Sequence, residues 1–433
     1  MTNVRRVRSR PGEHRRRSAV AWVLALAWVA AACSGSGDDA DEGAADDAAG
    51  GTTPDGTAQD GGEAAAGAGP YGEGAVDVAG DWTEADPEDH GIDAALLEEA
   101  RDYAFVPERH TQGVVVVHEG EIVGEWYAEG ADASSWTASW SVGKSFTSAA
   151  VGIALEQGAI PSVDEPLTTW FPDWAGTEKE AITLEDVLQM STGLAWDEEY
   201  SPETANESEI IAMVTGQADQ LAYAAGIPAE VEPGTRWSYS SGDTMLLSGV
   251  VEQATGMSLG DFAAERLFEP IGMEQVEWWE DAEGNTLAYC CLDATSRDLA
   301  RFGQLYLQDG RWGDEQVVPA DWVADSLEPA ETSQAEDTPL YGYQWWLDIE
   351  GLPDDGFAAQ GHDGQYIYVA PSLDLVVVRN GTYVKSDGPP VADPNLFTHY
   401  PPSGLIEGQG TIPPESWDEA EFLGPIVEAI PTS

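Results

Sequence analysis

Strand-like runs in this chain fall into two groups separated by a long helical stretch, and that distribution limits the possible folds more than any other feature. Residues 113–118 and 122–128 are rich in β-branched and aromatic side chains and flank Glu119-Gly120-Glu121, a hairpin signal. The same character returns only at 342–347, 357–360, 365–370 and 373–379. Between the groups, apolar residues recur at helical spacing over 145–155, 182–190, 208–225, 244–254, 259–268, 296–307 and 320–327. Thr183 is placed to cap the second of these, and Gly158 is a natural stop for the first. Further helices are predicted over 92–105 and 418–430. Strands contributed from both ends, with helices between, predict an α/β fold: one antiparallel sheet flanked by helices, carrying an inserted helical lobe.

Residues 1–32 read as a targeting segment. Seven arginines between Arg5 and Arg17 precede an apolar run over 19–32 that is short for a mature membrane span. The run ends Val29-Ala30-Ala31-Ala32-Cys33, which resembles a bacterial lipoprotein processing site with Cys33 as the lipidated new N-terminus. Ala30 stands where such sites carry a large aliphatic residue, and the same alanines fit an ordinary small-x-small cleavage site. Arg15-Arg16 also allows twin-arginine export. Residues 33–75 are rich in Gly, Ala, Asp and Glu and nearly devoid of large apolar side chains, so they read as a disordered acidic tether spanning about 35 Å. Residues 76–433 form the remaining domain, rich enough in aliphatic and aromatic residues for a substantial core.

A formal charge of −61, more negative still once the leader is removed, repels nucleic acid and anionic lipid head groups. It reads as a solubility feature. Besides Cys33 only the adjacent Cys290 and Cys291 remain, which predicts buried thiols or an occasional vicinal disulfide and excludes a disulfide framework. The six histidines are scattered without a His-Glu-x-x-His pattern, so no metal site is predicted.

Three segments can carry chemistry. In Ser141-Val142-Gly143-Lys144 the first and last residues lie one helical turn apart, sharing a face at the mouth of an apolar helix. A serine hydroxyl needs a neighbour to take its proton, and burial lowers a lysine pKa toward that task. The chain has only three lysines, Lys144, Lys179 and Lys385. In the turn-rich stretch 233–243, Tyr239 and Ser241 have polar tips that could share one cavity, although taken alone a packing tyrosine beside an N-cap serine is the plainer reading. In Gly361-His362-Asp363-Gly364-Gln365, glycine lets a backbone pass close to a ligand, and a strand-edge amide could face an oxyanion. A tight turn is the plainer reading. A rival nucleophile, Ser258 in Gly256-Met257-Ser258-Leu259-Gly260, has the pattern of a nucleophile elbow. It sits between two predicted helices rather than at a strand-to-helix turn, so it reads as an N-cap.

Taken in order, these segments resemble the serine β-lactamase and penicillin-binding superfamily, most closely its class C-like branch with the family VIII esterases and 6-aminohexanoate-oligomer hydrolases. The resemblance runs from about Gly113 to Arg379 and takes in 182–194 and 294–303. It implies Ser141 as acylated nucleophile, Lys144 as its base, Tyr239 as proton relay, and an oxyanion hole from the amides of Ser141 and Gln365. It also implies substrate contacts from Ser241, His362 and Gly364. Tyr239-Ser240-Ser241 stands where antibiotic-hydrolysing members have Tyr-x-Asn. His362-Asp363-Gly364 stands where they have a Lys-Thr-Gly-type triplet, whose lysine draws a substrate carboxylate. Both departures look like esterases and oligoamide hydrolases. Trp196-Asp197-Glu198-Glu199-Tyr200 looks like the segment that gives oligoamide hydrolases a substrate-contacting tyrosine, here Tyr200, and reads otherwise as a surface acidic loop. The expectation is an exported, lipid-anchored serine hydrolase on the outer side of the cytoplasmic membrane, acting on small esters or amides without a cofactor. A D-amino-acid peptidase or weak β-lactamase, and a catalytically silent binding module, are the alternatives.

Overall fold

The computed structural model describes residues 80–198, 208–335, 338–383, 385 and 416–431. The expected leader 1–32, Cys33, the expected tether, Tyr200 and all but Lys385 of the Pro- and Gly-rich stretch 385–412 lie outside these residues. Strand β1 (Thr111–His118) and β2 (Glu121–Tyr127) make the predicted hairpin. Its turn residues Glu119 and Gly120 take φ of 50° and 77°, the left-handed pair that suits the twist of a two-residue connection. Three short strands, β3 (Trp136–Ala138), β4 (Val276–Trp278) and β5 (Leu292–Thr295), form a separate antiparallel sheet. A small hairpin, β6 (Arg311–Trp312) with β7 (Glu315–Gln316), follows. The chain then returns to the main sheet as β8 (Trp346–Leu347), β9 (Phe357–Gly361), β10 (Gln365–Ala370) and β11 (Leu375–Gly381). β11 pairs with β1, which closes a six-stranded antiparallel sheet of order β2-β1-β11-β10-β9-β8 from both ends of the sequence.

Helix α1 (Ala94–Ala104) precedes the sheet. Between its two halves come α2 (Gly143–Glu156), α3 (Leu184–Leu188), α4 (Glu209–Gly216), α5 (Gln220–Gly226), α6 (Ser241–Thr255), α7 (Leu259–Ala263), α8 (Ser296–Leu307) and α9 (Ala320–Ser326). Helix α10 (Glu419–Ala429) comes last. Thr183 caps α3 in a reciprocal capping box with Asp186, and Gly158 takes φ 71° just past α2. Three expectations need correction. The helix expected over 208–225 breaks in two, because the Asp219 side chain accepts from the Ala222 amide and starts α5 afresh. The one expected over 259–268 ends at Ala263 and continues as a single π turn over Ala264–Phe268. Of 342–347 only Trp346 and Leu347 are strand.

Both faces of the sheet are covered, which explains why β1 reads Val114-Val115-Val116-Val117 without polar alternation. Val114 and Val116 join Leu97, Tyr368, Val377, Phe422 and Ile426 in a core under α1 and α10. Val115 and Val117 join Phe146, Phe302, Ile367 and Val376 in the larger core toward the helical body. Helix α8 lies directly on this inner face. A Cβ at Gly303 would fall 2.6 Å from Val376 Cγ1 and 2.8 Å from Ile367 Cγ2, so only glycine permits that approach. Cys290 and Cys291 are joined as a vicinal disulfide, with Cys291 at φ 64°.

Candidate active site

Ser141 sits in a 3-10 turn (Trp140–Val142) that leads into α2. Ser139 anchors the turn: its amide donates to Leu292 O at 2.8 Å and its Oγ accepts from the Leu292 amide at 2.9 Å. Trp140 takes φ 47°, a conformation that costs a bulky residue on the order of 1–3 kcal/mol and that these anchors hold in place. Edge-side strand β9 ends against the same turn. A Cβ on Gly361 would lie 2.4 Å from Ser139 O and 3.2 Å from Ser141 N, so the glycine there permits the close passage read from the sequence.

Lys144, the second residue of α2, is buried at 1% exposure. Its Nζ reaches Ser141 Oγ at 3.1 Å, Ser241 Oγ at 2.9 Å and Tyr289 O at 3.0 Å. Burial pulls its pKa down to about 8, and the nearby Glu198 carboxylate works against that shift. The Tyr239 phenol hydrogen-bonds with the Ser141 side chain. The Lys144 Nζ lies 4.9 Å from the centre of the Tyr239 ring, which packs on Trp346 at 5.3 Å. Burial, then Glu198, push the Tyr239 phenol well above its usual range, while the Ser141 bond pulls weakly the other way. The phenol therefore keeps its proton at neutral pH.

Ser241 is the first residue of α6, whose N-cap is Ser240. Its hydroxyl donates to Glu198 Oε1 at 2.6 Å and accepts from Lys144, and the residue is buried. The polar tip that the sequence assigned to the cavity thus links Glu198 to Lys144. Glu198, whose role the sequence reading missed, also accepts from the Ser241 amide at 2.9 Å and from the Trp196 indole. It is a buried carboxylate one hydroxyl away from the lysine. Its sequence signal was faint: one of three acidic residues in a run that reads as surface loop.

His362, Asp363 and Gly364 form the tight turn between β9 and β10, with Asp363 at φ 59° and Gly364 at φ 74°. The His362 ring meets Trp140 edge-on at 5.5 Å, beside the Ser141 turn, and its Nδ1 lies 3.8 Å from the Asp363 carboxylate. The Gln365 amide donates to His362 O and closes the turn, so this N–H is already engaged by the protein. The Gln365 side chain accepts from Thr137 at 2.9 Å and Asn380 at 3.0 Å. A second unforeseen residue holds the turn: Arg379, fully buried, donates to the carbonyls of Asp363 at 2.9 Å and Gly364 at 2.7 Å. Its guanidinium also bonds the Thr111 hydroxyl and the Arg109 carbonyl at the start of β1. Burial lowers its pKa to about 10, which leaves it charged. Ser258 is remote in role: its Oγ accepts from the Asp261 amide and caps α7, as read from the sequence. Among the described residues, the one grouping able to hold a metal ion lies outside this site.

The arrangement can deprotonate a hydroxyl next to a neutralisable amine and pass a proton through a phenol. A family model described as Beta-lactamase matches residues 94–396, well over half of the sequence. Over 294 residues the chain is 24% identical to the 6-aminohexanoate-dimer hydrolase of Paenarthrobacter ureafaciens, spanning 64% of this chain and 74% of that one. A Bacillus anthracis protein provisionally described as a 6-aminohexanoate-dimer hydrolase superposes with a TM-score of 0.59 at 24% identity, over 70% of this chain and 82% of that one. A family VIII carboxylesterase superposes with a TM-score of 0.53 at 17% identity, over 69% and 95% of the two chains. These superpositions share the sheet-and-helix architecture, and the family match establishes that the chain belongs to the β-lactamase family.

Proposed function

We propose that this serine hydrolase cleaves small uncharged esters or amides through an acyl-enzyme on Ser141. The observation that carries the reading is the hydrogen bond between Lys144 Nζ and Ser141 Oγ, made by a lysine whose burial brings it near neutrality. In the neutral form Nζ takes the Ser141 proton as Oγ adds to the substrate carbonyl. Tyr239 then gives its phenolic proton to the departing alkoxide or amine and recovers one from Lys144. Water reverses the sequence to release the acid. The Ser141 amide receives the oxyanion. The Gln365 amide joins it only if its bond to His362 O is shared or released. This route calls for no cofactor.

Uncharged substrates are favoured because His362 stands where a carboxylate-binding lysine would be. An imidazole is not the fixed ammonium charge that a lysine offers, and the strongly negative chain repels anions. kcat/KM for a short p-nitrophenyl ester should exceed that for nitrocefin by about 100-fold, about 2.7 kcal/mol of transition-state binding. His362→Lys should narrow the gap by improving nitrocefin turnover. Equal or better hydrolysis of nitrocefin by the wild type rejects this substrate class, and preference for a D-alanyl peptide in the same panel returns the peptidase alternative. Export and lipidation of Cys33 rest on the sequence alone: a basic and apolar leader before a cysteine and an acidic tether. A palmitate analogue should label the wild type, and Cys33→Ser should shift the protein to the soluble fraction. An unlabelled, soluble wild type leaves simple secretion.

A further inference from the structure

The six histidines are scattered in sequence, yet the fold brings two of them together at the end of β1 opposite Thr111 and the Arg379-held turn. His118 is the last residue of β1, Glu119 and Glu121 flank the hairpin turn, and His90 closes a 3-10 turn (Pro87–His90) laid beside it. The two imidazole rings lie 5.7 Å apart, nearly perpendicular at 77°. One donor atom from each of His90, His118 and Glu119 falls within 4.8 Å of the others.

The hydrogen bonds around the rings orient them. His118 Nδ1 faces the Leu373 carbonyl at 3.0 Å, and a carbonyl only accepts, so Nδ1 carries the proton and Nε2 presents a lone pair. His90 has a carboxylate on each side: Nε2 to Glu121 at 3.0 Å and Nδ1 to Glu119 at 3.1 Å. Two carboxylates on one imidazole call for positive charge there, either a second ring proton or a metal ion, and the test below separates the two. With a metal ion, the Nε2–H donating to Glu121 leaves Nδ1 and Glu119 as joint ligands. Their 3.1 Å separation is close to the roughly 3.3 Å between neighbouring donors of a tetrahedral ion bound at about 2.0 Å. A ring nitrogen held by carboxylate or backbone carbonyl while its mate faces a common point is the outer shell that metal-ligating histidines require.

We propose that His90, His118 and Glu119 bind one divalent cation of the zinc class, with Glu121 and the Leu373 carbonyl orienting the two imidazoles. Two imidazoles and a carboxylate suit Zn²⁺ and its neighbours Co²⁺ and Ni²⁺ rather than Ca²⁺ or Mg²⁺. The ion would pin the N-terminal turn to the hairpin at the far end of the sheet from Ser141, a structural role independent of the hydrolytic one.

The test uses the full chain after dialysis against a chelator, in millimolar Mg²⁺ and 0.3 M salt, both about as needed to mask the acidic surface. Zn²⁺ titrated calorimetrically should bind at one ion per chain. Co²⁺ at the same site should give the visible absorption of a four-coordinate N/O complex. At a hundredfold excess over Kd, Zn²⁺ should raise Tm by about 3 °C or more. His90→Gln, a change at a partly exposed position, and His118→Ala should each weaken binding about 100-fold or more. Glu121→Gln should weaken it about tenfold, and ester hydrolysis should persist in His90→Gln. No saturable uptake, or uptake that survives His90→Gln unchanged, overturns the proposal. So does a stability gain from protonation of His90 alone, seen as a Tm that falls through the histidine range and ignores Zn²⁺.

Discussion

Lys144 and Glu198 set opposing terms on the same proton. Burial lowers the Lys144 pKa to about 8 and Glu198, reached through the Ser241 hydroxyl, raises it. Since the neutral amine is the base, kcat/KM should climb as pH rises through about 8. Glu198→Gln removes the opposing charge, so that limb should move to lower pH in a stopped-flow profile with an uncharged ester. A limb that stays put or moves upward would show that Glu198 does not act on Lys144. Lys144→Arg should lose about 10³-fold or more, because a guanidinium does not give up its proton in this range. At this scale the sequence was informative where chemistry is local: Ser141 and Lys144 share a turn, and Tyr239 sits in a matching segment. It was silent on Glu198 and Arg379. Glu198 meets Ser241 43 positions on and Arg379 meets Thr111 268 positions back, and nothing in a single sequence says that a charged side chain will be enclosed.

At the scale of elements, boundaries followed the local signals wherever those were strong. Helix α8 fills its expected span because Thr295 caps it and its apolar face is continuous. Strand β10 likewise begins and ends where read, between the 362–364 turn and Pro371. Expectations drifted where two short elements abut. Gly216 and Asp219 interrupt one apolar pattern, and strands β3 to β5 are too short to carry a period of two. The contact of α8 with the sheet yields a stability prediction. Gly303→Val gains some helix propensity but drives its side chain into Val376 and Ile367. Overpacking of this kind costs about 1–3 kcal/mol, so the denaturation midpoint should fall while the variant's secondary structure content stays native. An unchanged or raised midpoint would mean that α8 can lift from the sheet at no cost.

Across the whole molecule, charge and burial act together. Burial raises the carboxyls of Asp243 and Glu419 to about 7 and that of Asp293 to about 6. A carboxyl with a raised folded pKa favours the native state at low pH, and this contribution is lost as pH climbs toward the folded value. A chain of charge −61 also repels itself more as its carboxylates ionise. Tm should therefore fall between pH 5 and pH 8, and added salt should recover part of the loss at pH 8. A Tm that rises over this interval would mean the three acids are better compensated than their surroundings indicate. The fold, the sheet built from both ends and the order of the site segments are settled by the whole chain, and the nucleophile is where that order becomes chemistry. Intact-protein mass spectrometry after exposure to a fluorophosphonate, followed by peptide mapping, measures it directly. The account predicts a single adduct on Ser141, absent in Ser141→Ala together with about 10³-fold or more of the ester turnover. An adduct on Ser258 or elsewhere, or full turnover by Ser141→Ala, would contradict it.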